Sequence, residues 1–341
     1  MWSPMSLSLP SQLLLQQDLP EHALLINPPR DDLAHELDQP WHLASFSFAV
    51  QHAYQKQNFT CIDITVPAKE SYGLIVIYLP KAKARIQYTL DFAMNALQEN
   101  GEIWFVGENK GGIKSLAKNL KNDFASIDKM AMGKHSAIVR AQTPQSKPEF
   151  DLARYFVEHE NEQGLTLKSL PGVFSQEKLD KGTQVLLKNL PRKIKGRILD
   201  FGCGTGTIAA YISQNREYEE LELIDDDFLA VKSAQVNIEN NQIEYAEAFA
   251  SDGFGQIEER YNWIISNPPF HQGIKTDYNV TETFLKQAKD YLKLSGKLLI
   301  VANEFLNYEV ILRQHFKGVT TVVKENGFKV IQCEGIMRPK N

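Results

Sequence analysis

Four short stretches in the second half of the chain carry residue types that could do chemistry, and they follow one another in a suggestive order. The first is DFGCGTG, Asp200 to Gly206, an acid followed by glycines at alternate positions. Glycines let a backbone adopt positive φ and approach a ligand closely. The spacing D-x-G-x-G-x-G is not the dinucleotide pattern G-x-G-x-x-G, and Asp200 would repel a pyrophosphate but attract a cationic amino group. The second stretch is LELID, ending in Asp225, 25 residues on (225 − 200). An acid there can accept both hydroxyls of a ribose. Asp226 and Asp227 are alternatives, and Asp225 is preferred because it directly follows the apolar run. The third is AFASDGFGQ, where Asp252 ends a strand and can accept from the exocyclic amine of an adenine. Taken singly, each aspartate reads as a helix N-cap or turn residue. Together they describe a ligand with an ammonium, a ribose and an adenine but no phosphate, and S-adenosylmethionine fits. The expected cofactor-binding set is Asp200, Gly202, Cys203, Gly204, Gly206, Asp225, Asp252 and Asn267.

The fourth stretch is SNPPF, 266–270, after the apolar run Trp263-Ile264-Ile265. In an open parallel sheet ligands bind off the carboxyl ends of the strands, so this motif should lie beside the cofactor's reactive end. An exocyclic base amine is a poor nucleophile because its lone pair is delocalised into the ring. Two acceptors on its hydrogens favour a pyramidal nitrogen, and the Asn267 side-chain oxygen and the Pro268 carbonyl can serve. Proline fixes φ and donates nothing, so the loop is stiff and rich in acceptors. Phe270 can stack on an extruded base, worth about 1–3 kcal/mol in single-strand systems. The expected catalytic residues are Asn267, Pro268, Pro269 and Phe270, acting by alignment and without a metal. His271 is a candidate base that the chemistry does not demand, since the amine's proton can leave to water.

These residues need strands that end in loops, and the chain supplies them twice. Apolar runs alternate with helical-period segments from end to end, the pattern of an α/β protein with mostly parallel sheets. YGLIVIYLPK at 72–81 resembles YNWIISNPPF at 261–270. Each is followed by a helical segment, then Gly101 or Gly296, expected as helix C-caps, then EIWFV or KLLIV. The offset is 189 at the tyrosines (261 − 72) and 195 at the glycines (296 − 101), so the second copy carries six extra residues after SNPPF. Both copies finish in two apolar runs around a glycine, the second containing Asn326-Gly327, a favoured hairpin pair. This reads as a duplication. The first copy has ALLINPPRDDLAHEL where the glycine loop should be and Tyr78-Leu79-Pro80-Lys81 in place of Asn267-Pro268-Pro269-Phe270. It keeps the fold pattern without the ligand chemistry. The seam is AQTPQSKPEF at 141–150, giving a degenerate domain over 1–145, a linker and lead-in over 146–171, and a catalytic domain over 172–341.

The bulk numbers set outer limits. The 341 residues are 43% hydrophobic and 23% charged, which suits folded domains, and the net charge of −5 leaves room only for local basic patches. Two are candidates for phosphates: Lys110, Lys114, Lys118 and Lys121, spaced for one helix face, and the run Lys178 to Arg197, in which Asp180 is the one acid. A solvated face is the plainer reading of either. Cys61, Cys203 and Cys333 are scattered, with no metal spacing, which fits a reducing compartment. The amino terminus is a poor signal peptide, and no apolar run could span a bilayer. A cytoplasmic monomer without membrane partners is expected.

The motifs together resemble class I methyltransferases with an (N/D)-P-P-(F/Y/W) motif. More closely, WFVGENKGGIKS (104–115), LTLKSLPGVFSQEKLDKGTQVLL (165–187), DFGCGTG and ISNPPFHQG resemble the bacterial 16S ribosomal RNA guanine-N2 methyltransferase family, RsmC, over nearly the whole chain. The resemblance implies two tandem Rossmann-like class I domains, the amino-terminal one degenerate and assisting RNA binding or folding. It also implies S-adenosylmethionine as donor, and the N2 amine of a guanine in 16S rRNA of the 30S subunit as target. PGVFS would fold over the cofactor, although Phe174 could equally be core. Alternatives are a 23S rRNA guanine-N2 methyltransferase, a protein glutamine N5-methyltransferase, and a non-catalytic ribosome-assembly factor. The intact glycine loop and SNPPF argue against the last.

Overall fold

The computed structural model describes residues 6–38, 41–133, 135–160, 164, 166–176, 178–268 and 275–337, with side chains left undescribed at 275–279. The chain divides into two compact units, Met1–Tyr155 and Phe156–Asn341. The division falls inside the 146–171 segment. Phe150 is buried against Tyr88 and Phe92 of the first unit.

The first unit holds a seven-stranded sheet of β1 (Leu24–Ile26), β2 (His42–Ala44), β3 (Thr60–Cys61), β4 (Tyr72–Tyr78), β5 (Leu97–Glu108), β6 (Phe124–Gly133) and β7 (Ser136–Pro144), in the order β3-β2-β1-β4-β5-β7-β6. Its helices are α1 (Leu9–Leu14), α2 (Leu33–Glu36), α3 (Phe48–Gln55), α4 (Ala84–Ala96) and α5 (Ile113–Asn119). The second unit opens with the antiparallel pair β8 (Val157–Glu160) and β9 (Thr166–Ser169). Its main sheet is β10 (Arg197–Phe201), β11 (Glu220–Asp225), β12 (Ala246–Ala250), β13 (Tyr261–Ser266), β14 (Leu292–Asn303), β15 (Phe316–Glu325) and β16 (Phe328–Ile336), in the order β12-β11-β10-β13-β14-β16-β15. Its helices are α6 (Lys181–Lys188), α7 (Thr207–Asn215), α8 (Phe228–Asn240), α9 (Lys275–Gln287) and α10 (Tyr308–Leu312). Both sheets have the same order. Five strands run parallel and a closing hairpin is antiparallel. Runs such as Trp263-Ile264-Ile265 are buried because helices cover both faces. The hairpin turn has Asn326 at φ 53° and Gly327 at φ 79°, the two positive values a type I′ turn requires. No helix among the described residues is long and apolar enough to cross a membrane.

Strand register matches the two copies residue by residue. Ile26 pairs with Ala44 and Ile77, while Phe201 pairs with Ile224 in the same frame. Asn27 therefore stands where the second unit has Gly202. Both are left-handed, at φ 55° and 70°, and both amides donate to the neighbouring strand, to Ala44 O and Ile224 O, each at 2.8 Å. After Asn27 come Pro28 and Pro29 in place of Cys203 and Gly204, which removes two backbone donors from the loop. The same frame sets Tyr72, His42, Glu70 and His22 opposite Tyr261, Glu222, Glu259 and Arg197. Tyr72 Oη lies 2.8 Å from His42 Nδ1, and Tyr261 Oη donates to Glu222 Oε2 at 2.7 Å. His22, His42 and Glu70 bring potential metal-ligand atoms within 4.8 Å of one another. Their counterparts include the Arg197–Glu259 ion pair at 2.7 Å, so these positions act in both units as a polar staple across strand starts.

Two glycines do not do what their sequence context implies. Gly101 and Gly296 are not C-caps: α4 ends at Ala96, and both glycines lie inside strands β5 and β14. A Cβ on Gly296 would stand 2.7 Å from Tyr261 O, and one on Gly101 3.1 Å from Gly73 O. Each sits beside a register shift, at Tyr261/Trp263 and at Tyr72/Leu74, where the strands approach too closely for a side chain. Gly296→Ala should therefore cost about 1–3 kcal/mol, read as a lower urea midpoint at unchanged slope. An unmoved midpoint would show that the strand pair yields freely.

The lysine stripe is also broken. Lys110 lies in a 3-10 turn, Gly112 takes φ 98°, and α5 ends at Asn119, leaving only Lys114 and Lys118 on the helix. All four lysines are exposed.

Candidate active site

The carboxyl ends of β10, β11, β13 and β14 and the segment before α6 enclose a cavity of about 400 Å³, within the ~300–1,000 Å³ range of small-ligand sites. Its wall includes Gly202, Gly204, Asp225, Asn267 and Pro268 from the expected set. The other expected residues behave differently, each for a local reason.

The loop between β10 and α7 turns on Gly202, Gly204 and Gly206, at φ 70°, 54° and 77°. Amides of Gly202 and Cys203 both donate to Ile224 O, at 2.8 and 2.9 Å, fastening the loop to β11. Gly206 does not reach the cavity wall. A Cβ there would meet Leu223 Cδ2 at 3.0 Å and Ala234 Cβ at 3.3 Å, so this glycine lets the loop pack on β11 and α8. Cys203 is buried in the apolar core behind the loop, and burial raises its thiol well above the ordinary range.

Asp225 Oδ2 accepts from Gly204 N at 3.0 Å and its Oδ1 from Asp227 N at 3.0 Å. It thereby ties the glycine loop to the start of α8. Asp227 caps that helix through Leu229 N at 2.9 Å and also lines the cavity, along with Ala230. Burial, then the nearby Asp227 and Asp226, push the Asp225 carboxyl up to about 7. Asp200 lies behind the loop, 1% exposed, with Oδ2 accepting from Ala209 N at 3.3 Å and Oδ1 without a hydrogen-bond partner. Burial likewise raises it to about 7, against the pull of the Ala209 amide. Asp252 is exposed just past β12, outside the cavity lining, with its amide donating to Gln256 Oε1 at 3.0 Å.

Asn267 follows directly on β13, whose last residue Ser266 donates from Oγ to Phe201 O at 2.7 Å and so ties the end of β13 to that of β10. Asn267 Nδ2 donates to Asp180 Oδ2 at 3.1 Å and to Thr183 Oγ1 at 2.8 Å. Pro269, Phe270 and His271 lie outside the described residues.

Asp180, Asn303 and Phe328 are wall residues to which the sequence assigns no place in the site, and part of the PGVFS segment expected over the cofactor lines it as well. Asp180 is the N-cap of α6, taking Thr183 N at 3.0 Å. Asn303 ends β14, and Phe328, its register partner, starts β16. Gly172, Val173 and Phe174 belong to the lead-in, which crosses the glycine loop: Phe174 O stands 3.7 Å from where a Gly204 Cβ would be. Phe174 is 53% exposed, a cavity residue and not core.

Comparison with known proteins agrees with this division. The family described as methyltransferase small domain matches residues 164–332, and its companion, methyltransferase small domain N-terminal, matches 11–159. The solved structure described as T. thermophilus 16S rRNA N2 guanine-1207 methyltransferase (RsmC), in complex with AdoMet and guanosine, superposes with a TM-score of 0.84 at 25% identity, covering 95% of this chain and 91% of that one. Ribosomal RNA small subunit methyltransferase C of Psychromonas ingrahamii is 41% identical over 265 residues, 77% of this chain and 76% of the relative. The Colwellia psychrerythraea protein of the same name is 34% identical over 97% of this chain and 99% of its own length. With identity at that level running through both units, the chain belongs to the ribosomal RNA small subunit methyltransferase C family.

Proposed function

We propose that the chain transfers a methyl group from S-adenosylmethionine to the exocyclic N2 amine of a guanine in 16S rRNA. The observation that carries this reading is the joining of two chemistries in one cavity. The glycine loop with Asp225 stands on one wall, and the acceptor-rich Asn267-Pro268 pair stands on another.

The residues suit this donor. The cavity has the volume of a small-ligand site, and its acids oppose a phosphate. The orphaned Asp200 Oδ1 behind the loop favours a cation in front of it. Asp225 would hold the ribose hydroxyls: each of its oxygens takes one amide and retains capacity for another donor. Gly202 and Gly204 let the ligand approach the backbone, and Phe174 would cover it. When bound, S-adenosylmethionine supplies a methyl group already activated on a sulfonium. The chain's own work is to present the amine: Asn267 Oδ1 and Pro268 O would accept its hydrogens and aim its lone pair, with the stacking role expected of Phe270 from the sequence. Asp252 would contribute to the adenine end from the rim.

Radiolabelled cofactor offered with 30S subunits, 50S subunits or release factor should label 16S rRNA as N2-methylguanosine. Label in 23S rRNA or in protein would move the chain to another substrate.

In the first unit, Lys114 and Lys118 on α5 would hold RNA phosphates. The pair Lys114→Glu and Lys118→Glu should weaken rRNA binding and reduce the slope of log K against log salt by about 2. An unchanged slope would remove this face from the RNA path.

A further inference from the structure

The geometry points to Asp180 and Thr183 as positioning residues that decide which end of the Asn267 carboxamide faces the substrate. This rests on the reading of Asn267 as acceptor for the base amine. An asparagine side chain carries an acceptor and a donor of nearly equal size, and only one of its two settings can accept from an amine. In the other setting its NH2 would meet the incoming NH2, donor against donor.

Three observations bear on the choice. First, Asn267 Nδ2 already has two acceptors, Asp180 Oδ2 at 3.1 Å and Thr183 Oγ1 at 2.8 Å. Oδ1 is thereby left as the end that can accept. Second, both partners sit in the first turn of α6, where Asp180 Oδ2 also takes Thr183 N at 3.0 Å. The helix terminus fixes the carboxylate, and the carboxylate fixes the amide. A flipped amide would press Oδ1 against a carboxylate, two acceptors with no proton between them. Third, a Cβ on Gly182 would stand 2.9 Å from Asp180 Oδ2 and 3.0 Å from the Phe328 ring. Glycine at 182 therefore leaves the space in which this carboxylate sits beside Phe328. Asp180 is the one acid between Lys178 and Arg197. From within that run it both caps α6 and reaches Asn267, 87 residues away.

A cap alone and a cap that orients Asn267 make different predictions. Asparagine caps a helix as well as aspartate does, so Asp180→Asn should leave the melting temperature and cofactor affinity in place. The cap holds the introduced side-chain oxygen on Thr183 N, where it still accepts from Asn267 Nδ2, but a neutral amide oxygen holds that donor more weakly than a carboxylate and lets Asn267 sample the flipped setting. kcat on unmethylated 30S subunits should then fall about tenfold with the KM for cofactor little changed. Asn267→Asp alone sets two carboxylates face to face and should be more severe. In the double variant Asp180→Asn, Asn267→Asp, the amide introduced at 180 can turn its NH2 toward the carboxylate introduced at 267 by giving up the bond from Thr183 N, which restores one donor and one acceptor across the contact with a carboxylate oxygen facing the base. It should recover at least about tenfold over Asn267→Asp.

A wild-type kcat in Asp180→Asn, or a double variant no better than Asn267→Asp, would overturn the orienting role. The acceptor role is tested separately. If Asn267→Ala retains full turnover, the reading beneath this one fails. If Asn267→Ala is inactive while Asp180→Asn is unimpaired, only the orienting role fails.

Discussion

Asn267→Ala is expected to slow methyl transfer to 16S rRNA by about 100- to 1,000-fold while leaving the Kd for S-adenosylmethionine within about threefold. The size follows from removing one preorganised hydrogen-bond partner of the reacting group, which in enzymes costs about 2.7–4 kcal/mol of barrier. The split between rate and affinity follows from location. Asn267 stands at the end of β13, whereas the ribose-facing acid stands at the end of β11. The substitution also strands little: Asp180 keeps Thr183 N, and α6 keeps its cap. Single-turnover kinetics beside a cofactor titration would separate the two effects. A matched loss of rate and affinity would mean that Asn267 chiefly binds cofactor.

Asp225 is the converse case. Asp225→Ala should weaken cofactor binding by about 100-fold or more, since two charge-assisted hydrogen bonds are worth about 1.5–3 kcal/mol each. It also strips acceptors from Gly204 N and Asp227 N, so part of the loss would come from a loosened loop. A pH titration of the unmodified protein avoids that ambiguity. The free carboxyl is raised to about 7, mainly by burial. Ribose hydroxyls donate to the ionised form, so binding lowers this pKa and releases a proton below about pH 7. Asp200, raised to the same range and assigned to the ligand's cation, acts in the same direction, so affinity should fall by at least about tenfold between pH 8 and pH 6. Calorimetry in buffers of different ionisation enthalpy would detect the proton. A flat affinity across that range would mean that Asp225 does not hold the ribose.

Much of this site is legible in the sequence because its signals are local. Positive φ at alternate positions favours the three glycines of DFGCGTG, and an acid after an apolar strand is visible without knowing which strand lies beside it. The duplicated order of elements is legible for the same reason: the tyrosines at 72 and 261 and the glycines at 101 and 296 recur in the same order, with six more residues between them in the second copy. Features set by pairing are hidden. Gly101 and Gly296 look like helix stops, because the approach of Gly73 O and Tyr261 O depends on strand register. The lysine stripe fails at Gly112, whose positive φ restarts the helix in a new direction. Asp180, Asn303 and Phe328 reach the cavity only through contacts between α6, β13, β14 and β16. Asp180 in particular is concealed by its basic neighbours, although the spacing from Asp180 to Thr183 is a legible N-cap signal. The loss of ligand chemistry from the first unit is the clearest case of local legibility. Two prolines in INPPR remove the amides that the second unit's loop turns inward, and Asn27 alone preserves the turn.

Nucleoside mass spectrometry of 16S rRNA from cells with and without this gene tests the central claim most directly. Loss of one N2-methylguanosine from 16S rRNA on deletion is expected, with its return on complementation by the unmodified gene but not by one encoding Asn267→Ala. An unchanged 16S profile, or a loss confined to 23S rRNA, would contradict it.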